Sequence, residues 1–228
     1  MTEFIKKLPT SAEFIIVISF CFGYSILFSI IIFVNNLFGS SSYYYAFTNA
    51  QLVSTICYEI LFMMLAFAFL KVRDNQIEWS SNTGLWKLIG KSIFLFLLYY
   101  ITYILLIIIV NSIFPQIKSS MYPQINMESN LNLILVLSLS IVNPIFEEMV
   151  VVGYIIPTLI PRIGILYAIN ISVLIRFLYH LYQGPIAAIS IIPMGIIFAI
   201  LYIKWKNIWP LIIVHGILDF LALYGHSL

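Results

Sequence analysis

The chain has 228 residues, of which 62% are hydrophobic and 9% are charged, and its formal net charge is +2. This composition excludes an ordinary soluble protein, because several apolar runs are long enough to cross a hydrocarbon core of about 30 Å. It also excludes nucleic acid as a partner, since no basic cluster is present that could neutralise consecutive phosphates. Cys21 and Cys57 lie in separate apolar runs without metal or redox spacing, and we interpret them as packing residues.

Apolar runs in chain order predict seven membrane-spanning helices. The first run is too long for the core of a signal peptide and lacks an A-x-A cleavage site, so it is predicted to be retained. No soluble domain is left over, and the predicted fold is an all-α polytopic membrane helix bundle with about seven transmembrane helices. The predicted spans are Glu13–Phe38, Leu52–Leu70, Leu88–Phe114, Leu131–Ile160, Ile163–Tyr182, Ile186–Ile203 and Trp209–Tyr224.

The basic residues between these runs predict a cytoplasmic amino terminus. With that orientation nine Lys and Arg residues fall in cytoplasmic segments and only Lys118 falls in an external one. Dividing Leu131–Ile160 into two spans at Pro144 would reduce this bias to six against four, so we interpret it as one long span. Asn143 and Pro144 are predicted to break that span and to begin a half-helix at the glutamates that follow. The predicted location is the cell membrane, and the Ile, Asn, Tyr and Lys usage indicates a bacterial plasma membrane.

Ionisable residues inside the predicted spans are the candidates for chemistry, because each charge near the bilayer centre costs about 2.5 to 3.5 kcal/mol. Glu59 has no matching partner motif and is interpreted as a helix-contact residue or a carboxylate near the interface. A spacing of four residues places Arg176 with His180, and His215 with Asp219, on common helix faces. The full set of candidates is Glu59, Glu147, Glu148, Arg176, His180, His215 and Asp219.

The polar pairs on the last predicted helices resemble the motifs of the CPBP family. This family contains intramembrane proteases related to the CAAX prenyl endopeptidase and bacterial proteins of the Abi or bacteriocin-immunity type. Its pattern is E-E-x-x-x-R, F-x-x-x-H and H-x-x-x-N or D, which here corresponds to Glu147 with Glu148, to His180, and to His215 with Asp219. The resemblance covers about Leu131 to Tyr224. It divides one integral membrane unit into residues 1–130, with helices 1 to 3, and residues 131–228, with catalytic helices 4 to 7.

Two positions depart from the family pattern. Val152 stands where the first motif has Arg, and Arg176 stands where the second motif has Phe. We hypothesise that the two changes compensate, so that Arg176 supplies to Glu147 or Glu148 the counter-charge that position 152 lacks. Without such compensation, the resemblance implies a relative that has lost catalysis.

The resemblance implies hydrolysis of a peptide bond at a site within the membrane. Glu147, aided by His180, would activate water as the general base, and His215 with Asp219 would position or stabilise the oxyanion, a role for which Asp219 would need to be protonated. Glu148 would orient these groups. No obligatory metal is expected, since the local H-E-x-x-H arrangement is absent; the alternative is Zn²⁺ bound by Glu147, His180 and His215.

The predicted function is therefore an intramembrane endopeptidase that acts on a small membrane-associated peptide or protein. Examples of such substrates are a peptide pheromone, a bacteriocin precursor or a CAAX-like prenylated tail. The alternative is a catalytically inactive CPBP-like protein that acts in bacteriocin immunity or regulates a partner by contact. A proton-coupled transporter is disfavoured because no inverted repeat with matching broken helices is found. In a purely structural interpretation, the glutamates and Arg176 fix helix register, and each histidine is hydrogen-bonded between helices.

Overall fold

The computed structural model describes residues 5–38, 45–73, 77, 83–113 and 125–225. Helices dominate this part of the chain. A pair of short strands, β1 (Tyr45–Phe47) and β2 (Ile125–Met127), joins two connecting segments. The helices are α1 (Thr10–Phe38), α2 (Asn49–Val72), α3 (Leu85–Ile113), α4 (Leu133–Val151), α5 (Ile155–His180), α6 (Pro185–Trp205) and α7 (Trp209–Gly225).

The predicted all-α membrane bundle is confirmed. Five helical stretches in the described residues are long and apolar enough to cross a membrane, and one of these, Leu133–Gln183, contains both α4 and α5. Helix α7 is apolar but has only 17 residues, so the number of about seven spans stays a prediction. Helix α3 shows the lipid-facing character directly, because Leu97, Ile101 and Ile108 are each more than half exposed. A helix that is apolar on all sides, including its exposed faces, suits a hydrocarbon environment.

Contacts between helix ends show which helix termini lie together at each end of the bundle. On one side, Arg73 at the end of α2 donates to Glu13 near the start of α1 at 2.7 Å, and Asn207 before α7 donates to Thr83 before α3 at 2.9 Å. On the opposite side, β1 pairs in parallel with β2. Helix directions place every described Lys and Arg except Arg176 on the first side. The charge asymmetry is thus present in the folded chain, while the cytoplasmic assignment stays a prediction; Lys118 lies outside the described residues.

The helix break predicted at Asn143 and Pro144 is wrong. Helix α4 continues through both residues, and the glutamates that follow lie in its last two turns instead of beginning a half-helix. Helix α4 ends at Val151, and residues 152–154 form a turn that leads into α5. The predicted run Leu131–Ile160 therefore comprises α4, this turn and the beginning of α5.

A tertiary contact accompanies the proline in the middle of α4. Pro144 has no N–H, so the carbonyl of Ser140 loses its usual partner in the helix. Gly216 of α7 packs directly against this carbonyl, since a Cβ added to Gly216 would lie 2.5 Å from the oxygen. Close approach of α7 therefore occurs at the point where α4 lacks a backbone hydrogen bond.

Helix α5 contains the reversal that brings it back along α4. Residues 151, 148 and 147 of α4 contact residues 172, 176 and 179 of α5, in that order, so the two helices are antiparallel there. Gly164 interrupts α5 with φ 82° and ψ 167°, a conformation that a residue without Cβ adopts readily. This geometry places the end of α5 beside the glutamates.

The core consists mainly of two apolar clusters that meet at α4. One cluster joins α1, α2, α4 and α5, and the other joins α3, α6 and α7 with the residues that follow α4. Phe146, Met149 and Val150 belong to the first cluster, and Val152 belongs to the second. The end of α4 is therefore enclosed on all sides, which explains why its two carboxylates are buried.

Candidate active site

Two adjacent carboxylates on α4 form the centre of the candidate site. Glu147 is 6% exposed and Glu148 is fully buried. Consecutive residues on a helix point in directions about 100° apart, so the two side chains meet different partners. Glu148 lies between two donors: Arg176 donates from Nη2 to its Oε2 at 2.7 Å, and Nδ1 of His215 lies 2.7 Å from its Oε1.

Arg176 is the counter-charge of Glu148. Its guanidinium is 1% exposed, and Nη1 lies 3.6 Å from Oε2 of Glu147, which is too far for a hydrogen bond but close enough for Coulombic attraction. Val152 is buried among apolar side chains, and its N–H donates to the carbonyl of Glu148 one turn earlier. The counter-charge hypothesised from the sequence is present, since Arg176 is paired with Glu148; that it compensates for the missing Arg at position 152 stays a hypothesis.

His215 on α7 connects three carboxylates. Its Nε2 lies 3.9 Å from Oε2 of Glu147 and 3.5 Å from Oδ1 of Asp219, while Nδ1 faces Glu148. Two N–H groups are needed to satisfy carboxylates at both ring nitrogens, and imidazolium has two. Asp219 in turn accepts a hydrogen bond from Nδ2 of Asn143 at 2.8 Å. These contacts join α4 and α7 through polar groups at the same level as the Gly216 contact.

His180 and its neighbour Tyr179 reach the site from the end of α5. Nδ1 of His180 lies 2.9 Å from the backbone oxygen of Arg176. A carbonyl oxygen only accepts, so Nδ1 carries the hydrogen and Nε2 of the neutral ring keeps a free lone pair. The hydroxyl of Tyr179 donates to Oε2 of Glu147 at 2.6 Å. Tyr179 is a site residue that sequence reasoning missed.

The candidate residues surround a cavity of about 610 Å³. Glu147, His180, Asp219 and Asn143 line it, and the buried groups Glu148, Arg176 and His215 lie behind this lining. The cavity extends towards the strand pair, where Tyr45 and Phe47 of β1 are part of its wall. A smaller apolar cavity of about 350 Å³ between α3 and α6 contains none of the candidate residues.

The region that carries the site was compared with known families. Residues 129–221 match the family described as type II CAAX prenyl endopeptidase Rce1-like. We refer to these residues, which make up less than half of the chain, as the CAAX protease region because of this similarity. The family resemblance inferred from the three motifs is thereby confirmed for this part of the chain. No curated protein and no solved structure matches the chain.

The CAAX protease region does not provide the whole cavity. Glu59 on α2 is 4% exposed and lines the same cavity as Glu147 and Asp219. We expected Glu59 to be a helix-contact residue or to lie near the interface, whereas the structure places it in the wall of the candidate site. Nothing in the sequence around Glu59 indicated this position beyond the presence of a carboxylate in an apolar run.

Zinc ligands in proteins are His, Cys, Asp and Glu side chains grouped around one point. No group of three or more His, Cys, Asp or Glu residues in the described part of the chain is arranged to hold a metal ion. In the set suggested from the sequence, His180 hydrogen-bonds through Nδ1 and keeps Nε2 available, whereas Nε2 of His215 faces Glu147 and Asp219. Glu147, His180 and His215 thus form no three-ligand group in this structure, and the metal dependence of the protein stays a prediction.

Proposed function

We propose that the protein is an intramembrane endopeptidase that hydrolyses a peptide bond in a small membrane-associated peptide or protein. One observation carries this proposal: Glu147, His180 and Asp219, from three different helices of the CAAX protease region, line a single cavity. Carboxylate and imidazole groups around a shared cavity are side chains that commonly act as general acids and bases.

Water activation is assigned to Glu147 and His180. The carboxylate of Glu147 is held by the Tyr179 hydroxyl, and Nε2 of His180 has a free lone pair on the cavity side of α5. A water between them gives its proton to one of these bases while its oxygen forms a bond to the scissile carbonyl carbon. Tyr179 positions Glu147 for this step and does not itself take the proton.

Stabilisation of the developing oxyanion is assigned to the side-chain amide of Asn143 on α4, which is held by Asp219 on α7. Nδ2 of Asn143 has two hydrogens and uses one for Asp219, which leaves the other for the cavity. His215 lies behind this lining with Nε2 facing Glu147 and Asp219, so its role is to hold these two carboxylates. Asp219 in turn holds Asn143 in place; it is not itself the donor to the oxyanion, so this assignment does not require a proton on Asp219. Preorganised donors of this kind are commonly the largest contribution to acyl-transfer catalysis.

Completion of the reaction returns the proton. The tetrahedral intermediate collapses, the C–N bond breaks, and the base that accepted the water proton passes it to the leaving amine, so that one water is consumed per peptide bond. Glu148 and Arg176 form a buried ion pair behind the cavity lining. Through their contacts with His215 and Glu147, they hold these two side chains in position.

The test uses the full chain purified into proteoliposomes with internally quenched apolar peptides. The wild type is expected to release products, and Glu147→Gln and His180→Ala are each expected to lower kcat by about 10²- to 10⁴-fold. Glu128→Gln, which changes an exposed carboxylate outside the cavity, is the matched control and should keep wild-type rates. Unchanged rates in both site variants, or no hydrolysis by the wild type, would eliminate the proposal and favour an inactive relative that acts in immunity or regulation.

Identifying the substrate requires a second experiment. Glu147→Gln should bind substrate without turning it over, so that a pull-down from membranes followed by mass spectrometry captures the peptide. A captured species that the wild type then cleaves would establish the substrate. Capture of species that the wild type never cleaves would count against hydrolysis.

A further inference from the structure

Among the described carboxylates that line the cavity, Glu59 is the one that the proposed mechanism does not use. Its side chain is more than nine-tenths buried and lines the cavity, and Oε2 makes no hydrogen bond to any described residue. Buried carboxylates are normally paired or fully hydrogen-bonded, since burial of an unpaired charge is costly. Glu59 lies on α2, outside the matched residues 129–221, so the proposed family chemistry does not account for it.

The charges around Glu59 do not balance. Glu59 interacts electrostatically with Glu147 and Asp219, which carry the same sign of charge, and more weakly with His215. The guanidinium of Arg176 is bonded to Glu148 and is not among the charges that act on Glu59. Among the described residues, the cavity lining includes three carboxylates and neither Lys nor Arg. The cavity therefore has an excess of negative charge in surroundings that screen charge poorly.

The wall next to Glu59 is aromatic. Tyr58 precedes it on α2, and the rings of Tyr24 on α1 and Phe146 on α4 lie 6.1 Å and 6.4 Å from the ring of Tyr58. All three rings line the cavity. Aromatic faces attract cations, and they also accept the methylene chain of a long basic side chain. An unpaired carboxylate beside aromatic rings is thus complementary to an alkylammonium or alkylguanidinium group.

We propose that Glu59 and this aromatic wall form a specificity subsite for a Lys or Arg side chain of the peptide substrate, next to the bond that is cleaved. The inference rests on the proposed endopeptidase function and adds the chemical class of residue that the enzyme selects. A bound cation neutralises the excess charge and supplies the missing partner of Oε2. A metal cation is disfavoured at this position because the described residues form no metal-binding group.

The test measures selectivity with matched peptides. An internally quenched apolar peptide is prepared in versions that differ at one position only, occupied by Lys, Arg, norleucine or Glu, and that position is moved along the peptide. Norleucine keeps the aliphatic chain of Lys and lacks the amine. For wild-type protein in proteoliposomes, kcat/KM at the preferred position should be about 10- to 100-fold higher for Lys or Arg than for norleucine.

The Glu59→Gln variant distinguishes a Glu59 that binds a cation from a Glu59 whose uncharged carboxyl group has only a structural role. Glutamine reproduces the hydrogen bonding of an uncharged carboxyl group but cannot balance a cation. The ratio of Lys to norleucine cleavage should fall to within about threefold of unity in Glu59→Gln. In the control Glu128→Gln the ratio should stay at its wild-type value. Thermal unfolding of each variant shows whether it is folded. The ratio of Lys to norleucine cleavage by the wild type tests the proposal even if a variant does not fold.

Binding of the same peptides distinguishes the two proposals from each other. If the wild type cleaves none of the peptides but binds the Lys version at least about tenfold more tightly than the norleucine version, the subsite stands and the protease assignment fails. Equal cleavage of Lys, norleucine and Glu versions overturns the subsite and leaves the protease assignment intact. Equal selectivity in Glu59→Gln and wild type also overturns it.

Discussion

Replacing Arg176 by Met is the most direct test of the charge arrangement in the candidate site. The substitution keeps the length and apolar packing of the side chain and removes the cation that bonds to Glu148 at 2.7 Å. Glu148 is fully buried, so without Arg176 its charge is balanced only by His215. Breaking a buried ion pair from one side typically destabilises a protein by about 3 to 5 kcal/mol.

This destabilisation can be measured without reference to catalysis. One kcal/mol shifts the melting temperature of a chain of this size by roughly 2 to 4 °C, so Arg176→Met should lower it by about 6 to 20 °C. Thermal unfolding in detergent, followed by intrinsic fluorescence or loss of the monodisperse peak, provides the measurement. Lys204→Met removes an exposed cation and serves as the control, with an expected change of about 0.5 kcal/mol or less.

The double variant decides whether the two residues act as a pair. Arg176→Met combined with Glu148→Gln should be clearly less destabilised than the sum of the two single changes, because neither side chain then leaves an uncompensated charge. Additivity within about 0.5 kcal/mol would refute the coupling. A melting temperature unchanged in Arg176→Met would refute the reasoning altogether.

The same ion pair allows a test of the exchange between positions 152 and 176. Val152 lies one turn after Glu148 on the same side of α4, so Arg at 152 is within reach of that carboxylate. Val152→Arg combined with Arg176→Phe should recover activity and part of the stability lost in Arg176→Phe alone. Absence of rescue in the double variant would count against compensation.

Three further outcomes are expected. Gly216→Ala should lower stability by about 1 to 3 kcal/mol, because the new Cβ would lie 2.5 Å from the Ser140 carbonyl, whereas Gly90→Ala, with open space around it, should not; equal melting temperatures would contradict the close contact. Tyr179→Phe should lower kcat about 10- to 100-fold with little effect on KM, since it removes the donor to Glu147; a wild-type kcat would remove Tyr179 from the site. Treatment with 1,10-phenanthroline should leave hydrolysis unchanged, and a loss that added Zn²⁺ reverses would overturn the metal-free mechanism.

Much of the site could be predicted because charged residues inside apolar runs are rare. Glu147, Glu148, Arg176, His215 and Asp219 stood out for this reason, and the structure joins all five through contacts of 3.9 Å or less. Spacing of four residues also placed His215 and Asp219 on one face correctly. What these contacts do in catalysis remains a proposal for experiment.

The helix break could not be placed from local sequence. Asn143 followed by Pro144 is a good signal for a helix start, yet α4 runs through it. The compensating contact comes from Gly216, more than seventy residues later, and only the assembled bundle shows that α7 packs against the exposed carbonyl. A rule based on neighbouring residues has no access to such a contact.

Residues of the cavity wall were missed for a related reason. Tyr179 and Asn143 are ordinary in composition, and Glu59 has no motif around it. Their importance arises from being opposite Glu147 and Asp219, which depends on how α2, α5 and α7 pack around α4. Position relative to other helices, and not residue type, makes them candidates.

Two parts of the chain build the cavity together, and only one of them lies within the residues that match the CAAX protease family. Residues 129–221 contribute Glu147, Asp219, His180 and Asn143 to its lining, whereas α1, β1 and α2 contribute most of the aromatic wall and Glu59. Under the two proposals made above, reactivity and choice of target are encoded in separate stretches of sequence. A chimera that takes its first three helices from a relative should inherit that relative's preferences while keeping the same hydrolytic apparatus, so this architecture can diversify its targets without rebuilding its chemistry.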